Sequence, residues 1–190
     1  MTTNDADRNG AAFDGYRAVA DDFTARVLAV PNDRWAAPSP CEGWTARDVV
    51  AHVATGHWWL AAAVLGVDAP PVGPDDDIRA AWRAAHAAVL DAIADPAIGT
   101  AIVDGPFGRR PAVHIVGGIM TAGTLVHTWD LARAAGIDER LDETAVLRAQ
   151  QAVEPLGDAI RAGGTFGPAV EPPAGADAQA RLLCYLGRSV

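Results

Sequence analysis

The sequence predicts an all-α protein, a four-helix bundle with additional C-terminal helices. Apolar residues recur at three- and four-residue steps through four long segments, and short breaks rich in Pro, Gly and Asp separate them. Only one short stretch reads as a strand, which leaves helix-on-helix packing as the way to bury the apolar stripes. At 190 residues, half of them apolar, the chain is long enough for a single domain over residues 1–190 with a sizeable core.

The first helix is expected over residues 11–30, where Phe13, Tyr16, Ala20, Phe23, Val27 and Val30 share a stripe, with Pro31-Asn32 ending it. A loop containing Trp35, Pro38 and Pro40 leads to Thr45, a good N-cap with Asp48 three residues on as a short capping-box acid. The second helix then runs to about Gly66. Residues 68–77 combine Pro70, Pro71, Gly73 and Pro74 with a triple Asp, a loop whose acids suit the positive end of the next helix. The third helix, residues 77–94, lines up Ile78, Trp82, His86, Val89 and Ile93, and Asp95-Pro96 closes it. Residues 100–103, followed by Gly105-Pro106-Phe107-Gly108, form the one strand-and-turn candidate. Pro111 suits the first turn of a fourth helix, which passes through Ile115, Ile119, Leu125 and Leu131 to an Ala135-Gly136 stop. A fifth helix is expected over residues 142–162 with Gly163-Gly164 as a joint, and a last short one over residues 177–186.

With 15 basic against 24 acidic residues the formal charge is −9, and no basic tract offsets it, so a polyanion is repelled and nucleic acid is excluded as a partner. Every cationic residue is Arg and Ala is heavily used, which points to a GC-rich coding sequence of the actinobacterial kind. Cys41 and Cys184 form neither a disulfide framework nor a metal-binding spacing. The start of the chain is polar, with no secretory pattern, and the longest apolar run, residues 58–67, is too short for a bilayer. A cytoplasmic protein with no membrane partner is expected.

The chemistry-bearing residues lie in two stretches, Pro40-Cys41-Glu42-Gly43-Trp44-Thr45-Ala46-Arg47-Asp48-Val49-Val50-Ala51-His52 and Leu125-Val126-His127-Thr128-Trp129-Asp130-Leu131-Ala132. Each sets an imidazole in an apolar helical run, where a ring without a partner is costly. Two imidazoles from facing helices plus one carboxylate make the three-ligand, one-open-position site of a catalytic divalent metal; taken singly, each His reads equally as a satisfied core residue. Asp130 lies one turn beyond His127 and Gly123 one turn before it, on the same face. Three roles stay open for Asp130: metal ligand, acid that orients an imidazole, or surface partner of Arg133. His57 lies roughly 140° around the helix from His52 and is not expected to share an ion with it. His86 sits on the apolar stripe of the third helix, and His57 and His114 are expected to be packing residues. Trp44 and Trp129 are candidates to wall one cavity. Cys41 precedes the N-cap by four residues and has no adjacent His, so it lacks the setting of a nucleophile, and Cys184 reads as a buried apolar residue.

These stretches, with the ending Phe166-Gly167-Pro168 through Arg181-Leu182-Leu183 to Leu186-Gly187-Arg188, resemble the mycothiol-dependent maleylpyruvate isomerase-like proteins of the DinB-like superfamily. The resemblance spans nearly the whole chain. It implies a DinB-like four-helix bundle holding a divalent metal, usually zinc-like, at one end of a cavity, with His52 and His127 at the positions of two histidine ligands. The family's acidic ligand, four residues before the second histidine, falls on Gly123, so the metal is expected to be weakly held, completed by Asp130 or water, or absent. The isomerases carry a further C-terminal domain, and 190 residues are expected to hold only the first.

The implied activity is that of a metal-dependent thiol transferase or isomerase, with mycothiol or another low-molecular-weight thiol as cofactor and a small electrophilic molecule as substrate. The competing reading is a non-catalytic bundle with a degenerate metal site that binds a small ligand or a partner chain. A homodimer is compatible with either.

Overall fold

The four apolar stripes become four long helices. The structure is a computed structural model that describes residues 3–105, 108–164 and 166–190. Its elements are α1 (Thr3–Ala29), α2 (Ala46–Leu65), α3 (Ile78–Ala94), a hairpin of β1 (Ile102–Gly105) and β2 (Gly108–Pro111), α4 (Ala112–His114), a π-helical segment (Ile115–Met120), α5 (Thr121–Ala135), α6 (Glu143–Val153), a 3-10 segment (Glu154–Gly164) and α7 (Ala178–Tyr185). α4, the π segment and α5 follow one another without a break and form the predicted fourth helix.

Helix starts follow local chemistry. Thr45 and Asp48 close the predicted capping box, the Thr45 side chain accepting from the Asp48 amide and the Asp48 carboxylate accepting from the Thr45 amide. Asp77, Asp142 and Asp177 each accept backbone N–H groups at the starts of α3, α6 and α7. Three boundaries depart from expectation. α1 begins at Thr3 rather than near residue 11, so the helix extends beyond the apolar stripe that predicted it. The strand begins two residues late and gains a partner, pairing antiparallel from Ile102 opposite Pro111 to Gly105 opposite Gly108; the predicted turn residues Pro106 and Phe107 lie outside the described residues. The fifth helix stops as an α-helix at Val153 and tightens into a 3-10 segment, because Pro155 has no N–H for the ladder.

α1 packs against α3 and α5, and α2 packs against the same two, so the four long helices close into a bundle. One apolar cluster, with Phe13, Tyr16, Phe23, Val49, Leu60 and Trp82, fills the space between α1, α2 and α3. A second, with Leu125, Trp129, Val146, Ile160, Leu182 and Leu186, packs α5 against α6 and α7. The fold is all-α and DinB-like, the hairpin being its only sheet among the described residues. No helix of the described residues is long and apolar enough to cross a membrane.

Candidate functional site

The loop between α1 and α2 turns back on itself. The Ser39 amide donates to Trp44 O and the Trp44 amide to Cys41 O, around Gly43 at φ +77°, a left-handed conformation that favours glycine. This turn seats the Trp44 ring 4.7 Å from the His52 ring and 6.0 Å from the His127 ring. His52, from α2, and His127, from α5, stand edge to face with ring centroids 5.0 Å apart. The two imidazoles meet, as their positions on long helices predict. Both border a cavity of about 640 Å³ that runs between α2, the π segment, the hairpin and the 3-10 segment.

Behind His127 lies a closed polar network. Asp130 is fully buried and does not pair with Arg133, which instead binds Glu139 and covers the Trp129 ring. The Asp130 partners are His127 Nδ1 at 2.9 Å and Arg188, whose Nε and Nη2 donate to its two oxygens at 3.0 and 2.8 Å. The Cys41 thiol donates to the same carboxylate at 3.3 Å. Three of these donors converge on Oδ2, and Arg188 Nε alone reaches Oδ1. These hydrogen bonds and the Arg188 charge overcome the cost of burial and hold the Asp130 pKa down at about 2. Because Asp130 is ionised and can only accept, His127 Nδ1 is the donor, which turns Nε2 away from the network.

Cys41 Sγ, one His127 nitrogen and an Asp130 oxygen lie within 4.8 Å of one another, a possible set of metal donors. The Arg188 guanidinium already sits on it, 3.3 Å from Cys41 Sγ, so a cation there would have to displace a buried ion pair. Burial and the Asp130 charge push the Cys41 thiol up to about 12, which removes it as a nucleophile at neutral pH. His52 is exposed towards the cavity. Surrounding protein, His127 and Arg188 disfavour its protonated form and lower its pKa to about 4, so it is neutral and able to donate a lone pair. Gly123 faces the same cavity, and a side chain there would meet nothing within 4 Å.

The remaining histidines divide differently from expectation. His57 and His114 border the cavity, whereas His86 does not; it stacks on Trp82 at 5.2 Å. Trp129 belongs to the second core cluster and not to a cavity wall shared with Trp44. Arg188 had no role in the sequence reading; its only signal there was its place at the end of the family-like C-terminal pattern. Gly187 brings it in: φ is +86°, and a Cβ at that position would lie 2.9 Å from Gly167 Cα, so only glycine allows this turn.

The family model for the mycothiol maleylpyruvate isomerase N-terminal domain matches residues 16–132, which include Cys41, His52, Gly123, His127 and Asp130. This chain belongs to that family. Within it, two curated relatives from Mycobacterium tuberculosis, of strains CDC 1551 / Oshkosh and ATCC 25618 / H37Rv, are each 32% identical over 182 residues, covering 92% of this chain and 96% of their own length. Both are described only as uncharacterized proteins. No solved structure matches the chain. The family match ends at residue 132, so the Arg188 contact that completes the Asp130 network comes from beyond it.

His57 adds a pH dependence. Its Nδ1 donates to Val53 O at 2.8 Å, and burial lowers its pKa to about 3, with His86 nearby acting in the same direction. The neutral ring is therefore favoured in the folded state. Its contribution is fully present above about pH 6.5 and is lost progressively as pH falls towards 3. Unfolding in that window is expected to take up a proton at His57, worth about 1.4 kcal/mol per pH unit. Urea midpoints between pH 7 and 4 should fall less steeply in His57→Leu than in wild type; an unchanged slope would show that this ring titrates normally.

Proposed function

We propose that the chain is a divalent-metal-dependent enzyme of the thiol transferase or isomerase kind, using mycothiol or a similar low-molecular-weight thiol against a small electrophile. The observation that carries this reading is the meeting of His52 and His127 at the cavity, with His127 oriented from behind by Asp130. Imidazole nitrogens are suitable donors for zinc, and a carboxylate that fixes one of the rings is a common support for such ligands. His52 and His127 would hold the ion, and Asp130 would act through His127, since its carboxylate is already paired with Arg188. A bound divalent ion supplies positive charge that lowers the pKa of a coordinated thiol. The chain's own residues keep His127 in the required tautomer, keep His52 unprotonated and leave the cavity side open for thiol and substrate. In the reaction the thiol would lose its proton, its sulfur would bond to an electrophilic carbon as that carbon's π bond or its bond to a leaving group breaks, and the released electron pair would take up a proton from solvent.

Gly123 favours a second reading, a non-catalytic small-molecule-binding bundle, because it supplies no carboxylate where the family pattern has one. The two readings separate in one experiment. Zinc-loaded protein is expected to bind the ion and to accelerate conjugation of a low-molecular-weight thiol to a reactive acceptor; no acceleration with any such thiol would leave only the binding bundle. Gly123→Glu is expected to raise zinc affinity by about tenfold or more, since it adds a bond and a negative charge in open space. Competition against a chelator measures this, and an unchanged affinity would mean that position 123 does not address the ion.

A further inference from the structure

Three polar rings stand inside the apolar core shared by α1, α2 and α3. Tyr16 from α1, His57 from α2 and His86 from α3 are 0%, 2% and 9% exposed, and each carries a buried polar atom with no hydrogen-bond partner among the described residues: Tyr16 Oη, His57 Nε2 and His86 Nε2. The rings adjoin one another. Between centroids, Tyr16 lies 5.7 Å from His57 and 6.1 Å from His86, tilted against them at 40° and 73°. Trp82 packs against both imidazoles, at 4.8 and 5.2 Å, but its N–H already donates to the Thr24 hydroxyl. It offers them no hydrogen bond.

A buried polar atom left unpaired is costly, and protein interiors pair nearly all of theirs. Three in one neighbourhood point to a shared partner. What that partner must be follows from the groups themselves: His57 Nδ1 donates to Val53 O, so its Nε2 can only accept, and the partner must donate to it. The Tyr16 hydroxyl both donates and accepts. Burial keeps that hydroxyl protonated and disfavours the charged form of both imidazoles, so none of the three offers a negative charge to a cation. A small neutral molecule that donates to His57 and exchanges hydrogen bonds with the other two meets every requirement. Water does so, and buried waters commonly make about three such bonds.

We propose that Tyr16, His57 and His86 form a binding site for one internal water molecule, held by Tyr16 Oη, His57 Nε2 and His86 Nε2 and joining α1, α2 and α3. Of the three residues only His57 borders the cavity, so the water braces that wall from within the core. The site needs neither metal nor thiol and stands or falls apart from the proposed function.

A crystal structure of the full-length, metal-free protein, at a resolution that places ordered waters, is expected to show one density peak about 2.7–3.2 Å from at least two of the three atoms. No peak there, or a direct bond from Tyr16 Oη to His57 Nε2, would overturn the site. A crystal soaked in zinc separates water from a metal: anomalous signal between these rings would show that the site takes a cation instead. Stability supplies an independent sign. With the water held, Tyr16→Phe removes a hydrogen bond that is made, and is expected to lower the urea midpoint; a midpoint that rises or stays unchanged would mean that the hydroxyl has no partner and would overturn the proposal. Oxygen-17 magnetic relaxation dispersion, which counts long-lived internal waters in solution, is expected to find one fewer in Tyr16→Phe/His57→Leu/His86→Leu than in wild type, and an equal count would overturn it. If that triple variant does not fold, the wild-type density and the Tyr16→Phe midpoint still decide.

Discussion

Arg188→Met is expected to destabilise the protein by about 3–5 kcal/mol, because it strands the ionised Asp130 carboxylate in a fully buried position. Both guanidinium bonds to that carboxylate are lost together, and the thiol of Cys41 loses its contact with Nη2 as well. His127 remains as a partner but bonds only one of the two oxygens. Chemical denaturation followed by circular dichroism measures the effect. Arg188→Met combined with Asp130→Leu removes both charges, and is expected to recover much of the stability lost in the single variant. A single variant within about 1 kcal/mol of wild type would show that water enters to solvate Asp130, and that Arg188 does not hold the network closed.

His52→Ala and His127→Ala are each expected to abolish thiol conjugation by the zinc-loaded protein, with the helical signal largely retained. The two rings come from different helices, yet on the proposed reading they serve one ion, so removal of either disables the same step and the double variant loses nothing more. His52 is exposed towards the cavity and His127 is only partly buried, so neither is a main support of the core. Cys41→Ser is expected to leave most activity intact, because the pKa of its thiol is raised and the reacting sulfur comes from the cofactor. Single-turnover rates with a saturating thiol and a reactive acceptor would check all three proteins. Conjugation that survives in both histidine variants would remove the two imidazoles from the chemistry.

Local chemistry made most of the fold legible. The stripes of α1, α2 and α3, the Thr45–Asp48 box and the aspartate caps at Asp77, Asp142 and Asp177 depend on neighbours within a turn or two, and such interactions are written directly in the order of residues. Pro155 was readable too, but the 142–162 pattern was apolar enough to hide its effect on the helix.

The sequence also singled out His52 and His127, because an imidazole in an apolar run needs a partner and few types can provide one. It did not determine the partners. Asp130 had Arg133 within a turn and Arg188 58 residues away, and the distant arginine holds it. What decided this was burial: Asp130 faces inward, where a largely buried cation and a cluster of donors offset its charge, while Arg133 lies over Trp129 at the surface. The same holds for His57 and His114, whose place at the cavity follows from the way the hairpin packs against α2 and α4 runs on into the π segment. Periodicity fixes the face of a helix, but which groups meet across the interior is settled only when the helices close around a common space.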